Sequence, residues 1–200
     1  MKYLDFLNHF HNQLVISSQD IKNYFGEVNP VQLNQWANKG LIIQLRRGIY
    51  IFKNQEIDLN LIANEIKISY ISLESALSYY QLIPEAVFGI TSITAARPEK
   101  IKTSLGTFSY YHIKKELFFD YQLIDSKIKN RRFKIALPEK AIFDLVYLRK
   151  DLKDEPSLKE LRLTAYNFSI RRLKGYQNYV KHRAVKNRID NLINYLQNPC

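Results

Sequence analysis

Between Pro30 and Lys39 the chain concentrates side chains that could read DNA bases: Gln32, Asn34, Gln35 and Asn38 are amides and Lys39 is a cation. An amide can pair through two hydrogen bonds with adenine N6 and N7 in the major groove, and a lysine can reach a phosphate or a guanine. At roughly 100° per residue, Leu33, Trp36 and Ala37 fall on one side of a helix, so Gln35 and Asn38 point away from it. Val31 also faces outward, with Gln32, Asn34 and Lys39 on the flanks. Any solvated helix shows a polar outer face, but Glu and Lys are better helix formers than Asn. A run of amides in their place favours base reading.

A second basic feature follows within a few residues. Arg46 and Arg47 stand beside Gly48, between the β-rich runs Leu41–Leu45 and Ile49–Phe52. Gly48 can take the positive φ that a tight hairpin turn needs, which puts the two guanidiniums at its tip. From there they could enter a minor groove or pair with phosphates.

These residues need elements to hold them. Residues 1–13 place Leu4, Phe6, Leu7 and Phe10 at helical spacing, and Leu14 to Ile16 reads as a strand. Ser17-Ser18-Gln19-Asp20 can cap a following helix that carries Ile21, Tyr24 and Phe25 and stops at Gly26. Pro30 opens the next helix and Gly40 closes it. Helix, helix and basic hairpin in this order predict a winged helix-turn-helix over residues 1–55, with a polar junction at Lys53-Asn54-Gln55.

The remainder, residues 56–200, alternates helix and strand patterns. Residues 57–66 and 73–82 read as helices; residues 89–95, 107–114 and 133–137 read as β-branched or alternating strands. Helices are expected at 139–148, 157–167 and 170–197. The expected fold is therefore α+β: an N-terminal winged helix-turn-helix, then a mixed α/β domain with a helical C-terminus.

Residues 161–189 hold eight Lys or Arg and no acid, namely Arg162, Arg171, Arg172, Lys174, Lys181, Arg183, Lys186 and Arg188. Tyr166, Phe168, Tyr176 and Tyr179 are interleaved with them. Two readings stand: a second basic surface from Arg171 to Arg188 that touches phosphates, or a solvated face that docks a partner.

Catalytic patterns are sparse. His9 and His11 are two apart on a helix and diverge, and His112 and His182 are isolated, so no metal pair is expected. Asp125-Ser126-Lys127 matches the second half of a metal-dependent nuclease motif, with Asp120 the one acid close upstream. That leaves nuclease chemistry as a rival function. Ser72, Glu74 and Ser75 read as a helix cap, and the six glycines are scattered without a phosphate loop. No cofactor, metal or catalytic residue is expected.

The net charge of +11 over 200 residues attracts polyanions, although an AT-rich genome could also enrich lysine. Cys200 is the single cysteine, so no disulfide framework is expected, and a reducing compartment fits. No apolar run approaches the length of a membrane span, and residues 1–13 lack the core of a signal peptide. A cytoplasmic protein without a membrane partner is expected.

The blocks GLIIQLRRGIYIF, SYISLESALSYYQLIPE, ITSITAARPEKIKTSLGTFSYYHI and IALPEKAIFDLVYL occur in this order. Together they resemble the AbiEi family of antitoxins and transcriptional regulators over about residues 17–150. The resemblance implies an antitoxin of a type IV toxin–antitoxin, or abortive-infection, system. It implies repression of the protein's own operon by binding inverted repeats in double-stranded promoter DNA, as a monomer that binds cooperatively. The functional partner would be an AbiEii-type nucleotidyltransferase toxin, with no stable complex required. Residues 30–39 would be the recognition helix and residues 46–50 the wing, which adds Tyr50 to the DNA contacts. The C-terminal 50 residues match less clearly. A protein-interaction module tethered to DNA is a further alternative.

Overall fold

A computed structural model describes residues 1–164 and 168–197. Helices and sheets mix in an α+β arrangement. The first 52 residues give α1 (Tyr3–Phe10), β1 (Ile16–Ser17), α2 (Ser18–Phe25), α3 (Pro30–Asn38), β2 (Ile42–Arg46) and β3 (Ile49–Phe52). The strands form one antiparallel sheet in the order β1-β3-β2.

Local chemistry sets these boundaries. Ser17 and Asp20 form a reciprocal capping box at the start of α2. Asn29 Oδ1 accepts from Gln32 N–H at 3.1 Å, and Pro30 supplies the fixed φ of the first turn of α3. Phe6, Phe10, Ile21, Leu33 and Trp36 close over Ile42, Tyr50 and Phe52 in a compact apolar core. Phe6 meets the rings of Phe10, Trp36 and Phe52 at 5.1–5.5 Å, the spacing of favourable tilted and edge contacts.

The rest of the chain adds α4 (Leu59–Ile66), β4 (Tyr70–Ile71), α5 (Leu73–Tyr79), β5 (Ile90–Thr94), β6 (Glu99–Thr103) and β7 (Gly106–His112). Then come β8 (Tyr121–Asp125), β9 (Arg132–Ala136), α6 (Pro138–Leu148), α7 (Glu155–Lys159), α8 (Ile170–Gln177) and α9 (Arg183–Gln197). Six strands make a mixed sheet in the order β6-β7-β5-β4-β9-β8. Residues on β7 alternate between its faces. Tyr110 donates its hydroxyl to Ala63 of α4 at 2.8 Å, so α4 lies on that face. Thr91, which shares the opposite face with its register partner Ser109, accepts from Ser75 N–H of α5 at 3.1 Å. α5 in turn packs on α6, and α8 and α9 pack behind α6.

The two sheets are in contact. Leu14, Leu45 and Ile51 of the N-terminal part belong to the larger core, together with residues such as Ile101, Phe108 and Tyr110. A bulge in β2 makes this possible: Gln44 pairs with Tyr50 and Arg46 with Ile49, so the extra residue, Leu45, turns inward. Arg131 Nη2 and Gln55 Nε2 add polar ties to the carbonyls of Asn12 and Leu14.

Several expected elements differ. The single helix anticipated at 170–197 is two, α8 and α9, broken at 178–182. Leu173 and Tyr176 on one piece, and Ile189, Leu192 and Ile193 on the other, all reach the same core, which one straight rod could not achieve. The helix anticipated at 157–167 is the short α7; Thr164 has left helical geometry and donates its N–H to Leu82 O at 2.9 Å. Residues 165–167 of that expectation, including Tyr166, and Cys200 lie outside the described residues. No helix among the described residues is long and apolar enough to cross a membrane.

Candidate nucleic-acid interface

α3 presents the face that its spacing anticipates. Leu33 and Trp36 are buried, while Asn34, Gln35, Asn38 and Lys39 are exposed. Among the described residues their side chains make no hydrogen bond or ion pair, so their donors and acceptors face solvent. Gln32 is different. Its Nε2 donates to the Met1 carbonyl at 2.8 Å and its Oε1 is buried without a partner, so this amide ties the N-terminus to α3 and is withdrawn from the outer face.

The hairpin separates the expected wing residues more sharply. Gly48, at φ 78°, completes the turn after Arg47, and a Cβ there would lie 3.0 Å from Ser18 Oγ. Arg47 is exposed at the tip. Arg46 lies next to it but reaches across to the second sheet, where Nη1 meets Glu99 Oε1 at 3.4 Å. Lys67 Nζ holds the other oxygen of Glu99 at 2.9 Å. The lysine hydrogen bond, with Arg46 nearby, holds the Glu99 carboxyl below the usual carboxylate range.

Tyr50 is not at the surface. It is 4% exposed and packs in the N-terminal core, because β3 alternation turns position 50 inward opposite Gln44. Burial raises its hydroxyl pKa despite hydrogen bonds from the Gly48 backbone and Ser18. The expectation that Tyr50 contacts DNA is corrected on that ground.

The C-terminal basic stretch also divides. Arg171, Arg172, Lys174, Lys181, Arg183 and Lys186 are exposed. Arg188 is only 9% exposed, and its Nε and Nη2 donate to Val146 O at 3.1 Å and Tyr147 O at 2.9 Å. It caps the last turn of α6, where orphan carbonyls and the negative end of the helix dipole favour a cation, so it leaves the surface set. Arg172 is partly engaged, 3.3 Å from buried Glu139. Phe168 and Tyr176 are core residues and are withdrawn from stacking on bases, whereas Tyr179, 4.9 Å from Phe119, stays 55% exposed.

Ser126 and Lys127 tie the end of β8 to the cap of α4, while Asp125 is exposed. Ser126 Oγ and Lys127 N–H both donate to Asp58 Oδ2, at 2.7 and 3.1 Å, while Asp58 Oδ1 caps α4. Among the described residues, no three His, Cys, Asp or Glu side chains converge to hold a metal. His9 stacks on Tyr24 at 3.3 Å.

One polar cluster was not anticipated. Lys140 and Asp144, one helical turn apart on α6, are completely buried and in direct contact. Tyr70 and Ser72 each donate a hydroxyl to Asp144 Oδ2 at 2.9 Å, and Lys140 Nζ donates to the Tyr70 oxygen at 2.9 Å. Burial pushes the lysine down and the carboxyl up, and their mutual attraction opposes both shifts. Its signal in the sequence is a Lys and an Asp four apart inside the otherwise apolar run AIFDLVYL and its approach.

Compared with known protein families and with curated proteins, the chain matches no family model and no curated sequence.

Proposed function

We propose that this protein is a sequence-specific binder of double-stranded DNA whose first 52 residues act as a winged helix. The carrying observation is the pairing of an α3 face made of solvent-directed amides, Asn34, Gln35 and Asn38, with a neighbouring hairpin tipped by Arg47. α3 docks in the major groove, with Gln35 and Asn38 on base edges and Lys39 on the backbone. Arg47 reaches the flanking phosphates or minor groove. The order of elements α1, β1, α2, α3, β2, β3 supports this reading, since it places the basic hairpin directly after the recognition helix.

With the resemblance to AbiEi regulators, the biological role we propose is an autoregulating type IV antitoxin. It represses its own operon at inverted repeats, and it counters an AbiEii-type nucleotidyltransferase toxin without a lasting complex. Gel shifts with the DNA upstream of its gene test the first half: binding stronger than to random duplex is expected. Q35A/N38A should erase that preference, and R47A should weaken all duplexes alike. Equal affinity for random and upstream DNA at moderate salt would sink the proposal.

A further inference from the structure

The two faces of the six-stranded sheet are covered unequally. Phe108, Tyr110 and Ile101 point to the side of α4 and the N-terminal sheet and are buried. On the other side α5 packs on β5, and no helix among the described residues packs as closely on β6 or β7. Register fixes what that half displays. Lys100 pairs with Ser109 and Lys102 with Thr107, and Thr107, Ser109 and Tyr111 lie two apart on β7. Neither the two lysines nor the three hydroxyls make a hydrogen bond or ion pair among the described residues.

Lys100, Thr107, Ser109 and Tyr111 form the floor of a cleft of about 540 Å³, within the range of roughly 300–1,000 Å³ typical of ligand pockets, and Lys102 lies beside it on the same face. Its wall is the loop before β5. There Phe88 is 96% exposed, the most of the large apolar side chains among the described residues, and Tyr111 on the floor is 44% exposed. Gly89 fixes that loop against the strand: at φ 103°, a Cβ would stand 2.5 Å from the Thr107 carbonyl. The backbone therefore holds Phe88 out at the cleft rim.

We propose that this cleft binds single-stranded RNA, with a base stacked on Phe88 and Tyr111, the backbone phosphates on Lys100 and Lys102, and ribose 2′-hydroxyls on Thr107 and Ser109. Exposed aromatics beside unpaired lysines on an open sheet suit unstacked bases and a charged backbone. The free hydroxyls are the groups that can tell ribose from deoxyribose. Three acids also line the cleft: Glu74 on α5, 3.9 Å from Arg149, Glu85 in the wall loop, paired with Arg162, and Glu160 after α7; the phosphates are therefore assigned to the strand lysines. Glu99 pairs in register with Tyr110, which puts the contact between Arg46 and Glu99 on the opposite face. RNA and duplex DNA would therefore occupy separate surfaces.

Anisotropy with a labelled single-stranded RNA of about ten nucleotides tests this on the full chain. F88A and Y111A should each weaken binding roughly 5- to 150-fold, since both side chains are exposed and the fold does not depend on them. K100A/K102A should flatten the logarithmic salt slope by about 1.4. T107A/S109A should reduce the preference for RNA over DNA of the same sequence, and excess upstream duplex should leave the RNA bound. Absence of RNA binding, equal binding of single-stranded DNA, full affinity in F88A and Y111A, or displacement by duplex would each overturn the proposal. Duplex preference measured alongside keeps the two proposals apart: either can fail while the other stands.

Discussion

Arg46, at the end of a strand in the N-terminal sheet, lies 3.4 Å from Glu99, on the edge strand of the other sheet, and so joins the two halves of the molecule through one carboxylate. The same carboxylate is held by Lys67, which makes Glu99 the acid of a three-membered network. Arg46 adjoins Arg47 and Gly48 at the hairpin tip, so under the proposed function a DNA phosphate arriving there would compete with Glu99 for the same guanidinium.

Removing that competitor should strengthen duplex binding. An ion pair this exposed is worth about 0.2–1 kcal/mol, so E99Q should tighten DNA binding up to severalfold. The change should also steepen the salt dependence as one more cation becomes available. Titrations of wild type and E99Q across a salt series measure both. Weaker binding by E99Q with an unchanged fold would show that Glu99 orients the β2–β3 hairpin instead of restraining it.

The same network sets a pH dependence. Because the folded-state pKa of Glu99 is depressed, chiefly by its bond from Lys67, its contribution to stability is complete above the unfolded value of about 4.3. It is lost as pH falls through the folded value. The stability gap between wild type and E99Q should therefore be constant near neutrality and shrink in acid. Urea denaturation over a pH series reads it; a gap that persists in strong acid would contradict the assignment.

Tyr50 separates the sequence expectation from the structure. With its ring in the N-terminal core, Tyr50→Phe should leave DNA affinity within experimental scatter. It should cost about 0.5–1.5 kcal/mol of stability through the lost hydroxyl bonds. A large loss of DNA affinity with normal stability would restore Tyr50 to the interface.

That case shows what the sequence made legible. The apolar spacing of Leu33 and Trp36 determines which face of α3 is wet, so Asn34, Gln35 and Asn38 were readable from period alone. Gln32 and Tyr50 were not, because their burial depends on Met1 and on the β2–β3 register, contacts distant in sequence or shifted by a bulge. The edge strands β6 and β8 escaped for a related reason. Each has solvent on much of its surface, so Glu99-Lys100-Ile101-Lys102-Thr103 offers one buried apolar residue and no clear alternation of several. The union of the two sheets also rests on single residues, Leu14, Leu45 and Ile51, that carry no signal of their destination.

Arg188 should behave as a structural cation. R188A removes two charge-assisted bonds to the α6 carbonyls and should cost about 2–3 kcal/mol. R171A and K174A, at exposed positions, should stay within about 0.5 kcal/mol. Chemical denaturation distinguishes them. Near-wild-type stability of R188A would mean that water replaces the guanidinium at the helix end.

The buried pair of Lys140 and Asp144 should show strong coupling. Either ion alone would be left in a site closed by Tyr70, Phe119 and Phe143, whose rings lie 5.2–5.5 Å from Lys140 Nζ. K140M or D144L should therefore cost about 3–5 kcal/mol each, through the uncompensated charge. The double variant K140M/D144L removes both charges and should recover much of that loss, although Tyr70 and Ser72 then lose their acceptor. A double-mutant cycle by urea denaturation measures the coupling, and additive costs would show that the two groups do not depend on each other. Duplex binding by the folded fraction should stay unchanged, because the α3 face rests on the separate N-terminal core.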